Sequence, residues 1–120
     1  MKNPASVPGK CGKEFSFDTQ SRKVTFGEKS QRLTRIEFRL LEHLVQRPGA
    51  LVTRQELLES VWGAHVAVEV RTVDSHMVRL RRKLRVFGTQ FFLIETVWGL
   101  GYRFQRVSKE EIMHEESVGI

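Results

Sequence analysis

The stretch from Val70 to Arg85 contains the side chains with the clearest chemical potential in this 120-residue chain. It contains six lysines and arginines but only one acidic residue, Asp74. The basic residues are Arg71, Arg79, Arg81, Arg82, Lys83 and Arg85. Guanidinium and ammonium groups at this density favour binding to a polyanion such as the phosphate backbone of a nucleic acid. The alternative is a solvated basic face without a ligand, because most charge runs only keep a surface wet.

The same stretch has the periodicity of an amphipathic helix. Apolar residues recur at steps of four, three and four, which places them on one side of a helix. They are Val73, Met77, Leu80 and Leu84. The opposite side carries Arg71, Ser75, Val78, Arg79 and Arg82, with His76 and Arg81 on the flanks. We therefore predict a helix over about residues 71–85 that buries the apolar side and exposes the basic side.

The charge of the whole chain also favours an anionic partner. Its formal net charge is +6, from 20 basic and 14 acidic residues. Residues 1–107 carry 19 basic and 10 acidic groups, or +9, because Lys109 and four glutamates lie beyond them. This excess supports attraction to nucleic acid or to an anionic membrane, without choosing between them.

Length and composition predict one globular, cytoplasmic domain. No apolar run approaches the roughly 18 residues of a membrane span, and the N-terminus lacks a hydrophobic signal core. Residues 1–13 have the composition of a flexible linker or tail, and residues 108–120 form an acidic C-terminal tail. The folded domain is therefore expected over residues 14–107.

The chain shows no sign of catalytic or metal chemistry. Its single cysteine, Cys11, cannot form an internal disulfide. The four histidines, His43, His65, His76 and His114, have no metal-ligand spacing. There is no Ser/His/Asp constellation, carboxylate pair or phosphate-binding loop, so we expect neither an enzyme nor a cofactor.

Two helices are predicted before the basic one, and each begins at a capping-box pattern. In this pattern two side chains, three residues apart, bond free backbone N–H groups at a helix start. The pairs are Thr34 with Glu37 and Thr53 with Glu56. The first helix is expected to end at residues 47–49 and the second at Gly63.

Period-two patterns flank the three helices. The apolar residues Phe15, Phe17, Val24 and Phe26 predict a small antiparallel sheet before the first helix. After the basic helix, residues 91–97 are β-prone, residues 98–101 read as a tight turn, and residues 102–107 alternate again. Three helices followed by a hairpin is the layout of a winged helix-turn-helix.

At these residues the chain resembles the OmpR/PhoB-type winged-helix effector domain of bacterial response regulators, over residues 14–107. The resemblance rests on Leu33, Thr34, Glu37, Phe38, Leu40 and Leu41; Pro48, Gly49, Val52 and Arg54; Val61, Trp62 and Gly63; Arg71, Thr72, Val73, Asp74, His76, Arg79, Leu80 and Arg81; and Gly99, Gly101, Tyr102, Arg103 and Phe104.

The resemblance implies an α+β fold with a four-stranded N-terminal antiparallel sheet, a three-helix core and a C-terminal β-hairpin wing. It also implies transcription regulation in a bacterial two-component system. Such domains bind direct-repeat double-stranded DNA as tandem homodimers, with the third helix in the major groove and the wing, about residues 92–107, near the minor groove. The chain is then either an output domain separated from its receiver domain or a receiver-less regulator.

The resemblance further assigns roles to single residues. Arg79 would read base edges, helped by Thr72 and Asp74, although Asp74 either accepts from a cytosine amine or orients a neighbouring arginine. The phosphate contacts would come from Trp62, Arg71, His76 and Arg81, and the wing contacts from Thr96, Gly99 and Tyr102. Ser75, Val78 and Arg82 point outward on the predicted helix and are therefore also predicted to contact DNA. Trp98 and Arg103 are the remaining predicted contacts of the wing.

Two positions depart from the family pattern. Val78 stands where relatives often have a basic residue, which suggests apolar contact with a thymine methyl in place of a phosphate contact. Trp98 stands at the wing tip where many relatives have an arginine that enters the minor groove. It either packs on the wing as a hydrophobic lid or stacks on a sugar.

The connection between the second and third helices is a predicted partner loop. Residues 64–70 exceed a minimal turn of about three or four residues. In the family this loop can contact RNA polymerase; here it comprises Ala64, His65, Val66, Ala67 and Val68, followed by Glu69 and Val70. Its valines either form such a surface or fold back on the core. The rival function is therefore a winged helix that docks on another protein, for which the basic charge is incidental.

Overall fold

A computed structural model of the chain describes residues 14–88 and 90–107. Three helices lie between two small sheets, which is the predicted winged-helix architecture. In chain order the elements are β1 (Phe15–Asp18), β2 (Lys23–Phe26), β3 (Lys29–Arg32), α1 (Arg35–Val45), β4 (Leu51–Thr53), α2 (Arg54–Trp62), α3 (Arg71–Leu84), a 3-10 turn (Arg85–Phe87), β5 (Phe92–Val97) and β6 (Gly101–Arg106). None of the helices in the described ranges has the length and apolar character that crossing a bilayer requires.

The N-terminal sheet is an antiparallel meander in the order β1–β2–β3. Phe15 lies opposite Phe26 in its register, so the predicted aromatic side of the sheet faces inward. The described part of this sheet has three strands, not the four that the resemblance implied. The chain passes from β3 through Leu33 straight into the cap of α1 at Thr34, which leaves no residues there for a further strand.

The second sheet, in the order β4–β6–β5, connects the helices to the wing, which is the β5–β6 hairpin. The short strand β4 precedes α2 directly and pairs with β6, so that Val52 lies opposite Tyr102. Gly101 approaches β4 so closely that a Cβ atom there would lie 2.1 Å from the carbonyl oxygen of Val52. Only glycine fits this contact, and the base of the wing is therefore held against the start of α2.

The apolar stripe of α3 forms the centre of the core. Each of its four residues is at most 4% exposed, which confirms the predicted buried side of the helix. Phenylalanines from both sheets pack around it; the ring centroid of Phe15 lies 4.8 Å from those of Phe26 and Phe92. The two sheets and the helices therefore share one core, which fixes the orientation of the outer face of α3.

The predicted capping box is complete at the start of α1, whereas only one of its two hydrogen bonds forms at the start of α2. At α1, Glu37 N–H donates to Thr34 Oγ1 at 3.2 Å and Thr34 N–H donates to Glu37 Oε1 at 3.0 Å, a complete capping box. At α2, Thr53 Oγ1 accepts from Glu56 N–H at 3.0 Å. The carboxylate of Glu56 instead bonds His43 of α1 at 3.0 Å, so the reciprocal half of the second box is absent.

A buried ion pair ties α1 to α3. The carboxylate of Glu37 is 1% exposed, and its Oε1 lies 2.7 Å from Nζ of Lys83. Burial by itself would raise the pKa of Glu37, but the bonds from Lys83 and from Thr34 outweigh it and lower that pKa overall. Lys83 is thus engaged with the core side of the domain, and the outward charge of α3 comes from its arginines.

Candidate nucleic-acid interface

The side of α3 opposite its apolar stripe is open to solvent. All five residues predicted to point outward are exposed: Arg71, Ser75, Val78, Arg79 and Arg82. Arg79 and Arg82 form no ion pair with any residue of ranges 14–88 and 90–107, so their guanidinium donors are available to a ligand. Arg71 lies 3.5 Å from Glu69 in a largely exposed pair, which is a weak interaction. This face is therefore a cationic surface interrupted by one exposed apolar side chain, Val78.

Asp74 lies on the flank of α3 that faces the wing, and both of its carboxylate oxygens accept hydrogen bonds. Arg54 Nη1 donates to Oδ2 at 2.8 Å, and the Tyr102 hydroxyl donates to Oδ1 at 2.7 Å. One carboxylate thus connects α2, α3 and β6. Arg54 is the functional residue that sequence reasoning missed, because no periodicity relates positions 54 and 74 on different helices.

Arg81 makes a second connection between α3 and the wing. Its guanidinium carbon lies 5.2 Å from the ring centroid of Tyr102, and its Nη2 donates to Oγ1 of Thr96. Tyr102 is buried, and burial together with the neighbouring Asp74 carboxylate raises the pKa of its hydroxyl to about 12. The hydroxyl therefore stays a proton donor at neutral pH. Arg81, Thr96 and Tyr102, each predicted to contact DNA, also hold the helix and the wing together.

Trp62 and His76 meet where α2 approaches α3. Their ring centroids are 5.4 Å apart and the rings meet edge to face. Burial, followed by the charge of Arg79, lowers the pKa of His76, against an opposing effect of Glu37. His76 is therefore neutral in the free domain at pH 7. A neutral imidazole can donate to a phosphate, and a bound phosphate would in turn favour its protonated form.

The sides of the wing are charged but paired, whereas its tip is apolar and free of packing. Arg103 Nε lies 3.0 Å from Oε1 of Glu95, so part of the wing's positive charge is neutralised within the hairpin. Trp98 is 87% exposed. The interpretation of Trp98 as a lid packed on the wing is therefore wrong, because a lid would have lost most of its exposure.

The partner loop is divided between solvent and core. Ala64, His65, Val66 and Ala67 are exposed, whereas Val68 and Val70 pack against the core. Each of the two alternatives for the valines thus describes part of the loop. Among the valines of the loop, Val66 faces outward. It follows directly after His65, whose backbone is left-handed with φ 66°.

A cleft of about 310 Å³ lies between the wing-facing flank of α3 and the wing. It brings together seven predicted site residues: Asp74, Val78, Arg81, Thr96, Trp98, Gly99 and Tyr102. The partner loop does not line it, nor do the remaining predicted site residues, which are Trp62, Arg71, Thr72, Ser75, His76, Arg79, Arg82 and Arg103. A cationic helix face beside a β-hairpin, with a shared cleft between them, defines the class of winged-helix nucleic-acid-binding domains.

Comparison with known sequences identifies the family. Residues 27–104 match the family described as "Transcriptional regulatory protein, C terminal". The chain belongs to this family, the OmpR/PhoB-type DNA-binding domains of response regulators. The match covers α1, α2, α3 and nearly all of the wing.

Individual relatives are similar over most of this chain. It is 44% identical over 91 residues to the uncharacterized transcriptional regulatory protein YclJ of Bacillus subtilis (strain 168), a match that covers 75% of this chain and 39% of YclJ. It is 37% identical over 100 residues to the transcriptional regulatory protein SrrA of Staphylococcus aureus (strain NCTC 8325 / PS 47), covering 82% of this chain and 42% of SrrA. The chain therefore spans about two fifths of these curated relatives.

The chain is also similar to a solved structure of a DNA-binding domain. The DNA-binding domain of Klebsiella pneumoniae RstA, in complex with the RstA box, is 29% identical with a TM-score of 0.61. That match covers 76% of this chain and 90% of the RstA domain chain.

Proposed function

We propose that this domain binds a specific double-stranded DNA sequence and thereby regulates transcription, with α3 in the major groove and the wing near the minor groove. The observation that carries the proposal is the exposed cationic face of α3, held at a set distance from the wing by Asp74. The major groove, about 12 Å wide, admits an α-helix of this kind. Membership of the response-regulator family supports the same function.

Arg79 is the residue we assign to base reading. It is exposed on the outer face of α3 and has no ion-pair partner in the described chain. An arginine in this position can donate two parallel hydrogen bonds to O6 and N7 of guanine, which discriminates against other bases by about 1 to 3 kcal/mol. Thr72 and Ser75 lie on adjacent turns of the same helix and are proposed to assist.

Phosphate contacts are assigned to residues on the rim of this face. Arg71 and Arg82 are exposed cations, and His76 with Trp62 forms a half-buried pair of N–H donors beside them. Contacts of this type fix the register of the helix on the duplex without reading its sequence. Val78, 55% exposed, is proposed to contact a thymine methyl group.

Asp74 and Arg81 are assigned first to positioning. Each oxygen of the Asp74 carboxylate already accepts one hydrogen bond, from Arg54 and from Tyr102, so the fold itself uses both oxygens. Arg81 is similarly engaged with the wing, but it keeps further guanidinium donors for a phosphate. The wing residues Thr96, Gly99, Tyr102 and Arg103 complete this part of the interface.

The wider setting is also a proposal. We infer that the chain acts in the bacterial cytoplasm as the output domain of a longer response regulator, and that two copies bind direct repeats in tandem. Val66 and its exposed neighbours in the partner loop are proposed to contact RNA polymerase. The folded domain is assigned to residues 14–107, and the proposed linker (1–13) and acidic tail (108–120) lie outside the described residues.

The first experiment is selection of bound sequences from a pool of random duplexes. We expect one motif to be enriched, repeated in the same orientation. Arg79→Ala should then lower the affinity for the selected site about 10- to 100-fold, with little change for random duplexes. Arg85→Ala, which removes the same charge beyond the C-terminal end of α3, is the matched control and should leave selectivity intact.

Two results would reject the proposal. Equal affinities for selected and random duplexes at all salt concentrations would exclude sequence-specific binding. If the wild type bound no duplex selectively while Val66→Asp abolished binding to RNA polymerase, the domain would instead be a protein-docking module.

A further inference from the structure

The tip of the wing is an exposed apolar projection. The turn between β5 and β6 consists of Trp98, Gly99 and Leu100. Trp98 is 87% exposed and Leu100 is 55% exposed. No charged residue occurs from Thr96 to Tyr102, so the tip cannot neutralise a phosphate through a side chain.

Two backbone hydrogen bonds hold the turn. Leu100 N–H donates to the carbonyl of Val97 at 2.9 Å, and the Leu100 carbonyl accepts from Arg54 N–H at 3.3 Å. Gly99 adopts φ 79°, which favours glycine. The indole thus extends from a hydrogen-bonded turn while most of its surface stays in water. An exposed apolar side chain of this size stabilises a complex when a partner covers it.

The position of the tip identifies the partner. Trp98 lines the same cleft as Val78 and Arg81 of α3, so it borders whatever α3 binds. In the binding mode proposed above, α3 lies in the major groove and the hairpin beside it lies near the neighbouring minor groove. The apolar tip thus faces sugars and base edges, which aromatic and aliphatic side chains can contact without any charge.

We propose that Trp98 and Leu100 form an apolar wedge that enters the minor groove and partly unstacks one base step. This inference rests on the proposed DNA binding and deepens it by naming the contact chemistry of the wing. Wedges of this kind bend duplexes, and pyrimidine–purine steps deform most easily, so we expect such a step beneath the wing. Because no cation is involved, the contact adds affinity without releasing counterions.

The dependence of affinity on salt separates this contact from an ionic one. Trp98→Ala should bind the selected duplex about tenfold more weakly with an unchanged slope of log affinity against log salt. Trp98→Arg should steepen that slope by about 0.9, the value for one further phosphate contact. Val86→Ala is the matched control, because Val86 is also an exposed apolar residue but does not line the cleft.

A direct test uses 2-aminopurine, an adenine analogue, in place of each adenine of the selected duplex in turn. Wild-type protein should raise its fluorescence at one step beneath the wing, and Trp98→Ala should not. Since the side chain is exposed, urea unfolding of the variant should match that of the wild type, which separates lost contact from lost folding.

Three outcomes would overturn the wedge. Trp98→Ala could bind DNA as tightly as the wild type at every salt concentration, or no 2-aminopurine position could respond. Alternatively, Trp98→Ala could alter self-association without DNA and leave DNA affinity unchanged, which would make the tip a protein contact. In each case an intact effect of Arg79→Ala on selectivity would show that the proposed function stands, whereas failure of the wild type to discriminate between duplexes would reject both.

Discussion

The hydroxyl of Tyr102 lies 2.7 Å from Oδ1 of Asp74, and this hydrogen bond joins the wing to the helix that carries the basic face. The second oxygen of the same carboxylate accepts from Arg54 of α2. Together with the contacts of Arg81 to Thr96 and Tyr102, this carboxylate fixes the distance between the two proposed groove contacts. Such preorganisation lowers the ordering cost of binding, so changes in this network should affect affinity and stability together.

Tyr102→Phe removes only the hydrogen bond, since the ring can remain beside Arg81. We expect the free energy of unfolding, measured in urea, to fall by about 1 to 2 kcal/mol, because the Asp74 carboxylate loses the hydrogen bond that the Tyr102 hydroxyl donates. Affinity should fall to the same extent for every DNA sequence. An unfolding free energy equal to that of the wild type would show that this bond does not stabilise the wing.

Asp74→Asn keeps the shape of the side chain but removes the charge that faces Arg54. We expect a uniform loss of affinity across the selected site and all its single-base variants, measured by fluorescence anisotropy. Arg54→Ala should give the same pattern, and the double variant should lose less than the sum of the two because the residues act as a pair. A loss confined to one C·G pair would instead show that Asp74 reads cytosine directly.

Glu37 predicts a specific dependence of stability on pH. Its pKa in the folded domain is lowered from the ordinary value of 4.5, so its ionised form stabilises the fold. The stabilisation is complete at pH values above the ordinary pKa of the unfolded chain. It is lost as the pH falls through the lowered pKa of the folded domain. Urea unfolding at a series of acidic pH values should therefore show a decline that Glu37→Gln flattens.

Lys83→Met tests the other partner of that ion pair. It leaves the carboxylate of Glu37 buried without its cation, and we expect a loss of about 2 to 3 kcal/mol at neutral pH, reduced from that of a fully buried pair because Lys83 is partly exposed. The same change removes the largest effect that lowers the pKa of Glu37, so the acid decline that comes from Glu37 should become smaller. If neither variant changed the pH profile, the pair would not be a source of acid sensitivity.

His76 predicts that DNA binding strengthens as the pH falls. Its pKa is lowered in the free domain by burial and by Arg79, whereas a phosphate beside it would raise that pKa in the complex. Binding should then take up a proton. The DNA affinity should rise as the pH falls through the pKa of His76 in the complex, and it should level off below the pKa of His76 in the free domain. Anisotropy at constant ionic strength should show this for the wild type and for His65→Gln, but not for His76→Gln. Identical profiles for the wild type and His76→Gln would exclude a phosphate contact at this residue.

Features that depend on neighbouring residues were predicted well. The buried stripe of α3 and its exposed arginines follow from helical periodicity, because residues three or four apart share a face in any helix. The cap at Thr34 and the hairpin turn around Gly99 are also local, since each uses atoms within a few positions. Trp98 was identified as unusual, but its exposure depends on whether distant side chains cover it.

Features that depend on residues far apart in the sequence required the folded arrangement. Glu56 has the sequence of a capping box, yet packing of α1 against α2 brings His43 to its carboxylate. The described N-terminal sheet has three strands because the chain enters the cap of α1 directly after β3. The short strand β4 pairs with β6, where Gly101 allows close approach.

Asp74 combines a predictable position on α3 with hydrogen-bond partners that could not be predicted. Its sequence context predicts a position on a basic helix near a proposed DNA surface, and it leaves open whether Asp74 reads a base or orients an arginine. The folded chain brought Arg54 and Tyr102 to its two oxygens from positions 20 and 28 residues away. Local periodicity determines which face a side chain occupies, but the partners it meets there depend on how the faces of several elements pack together.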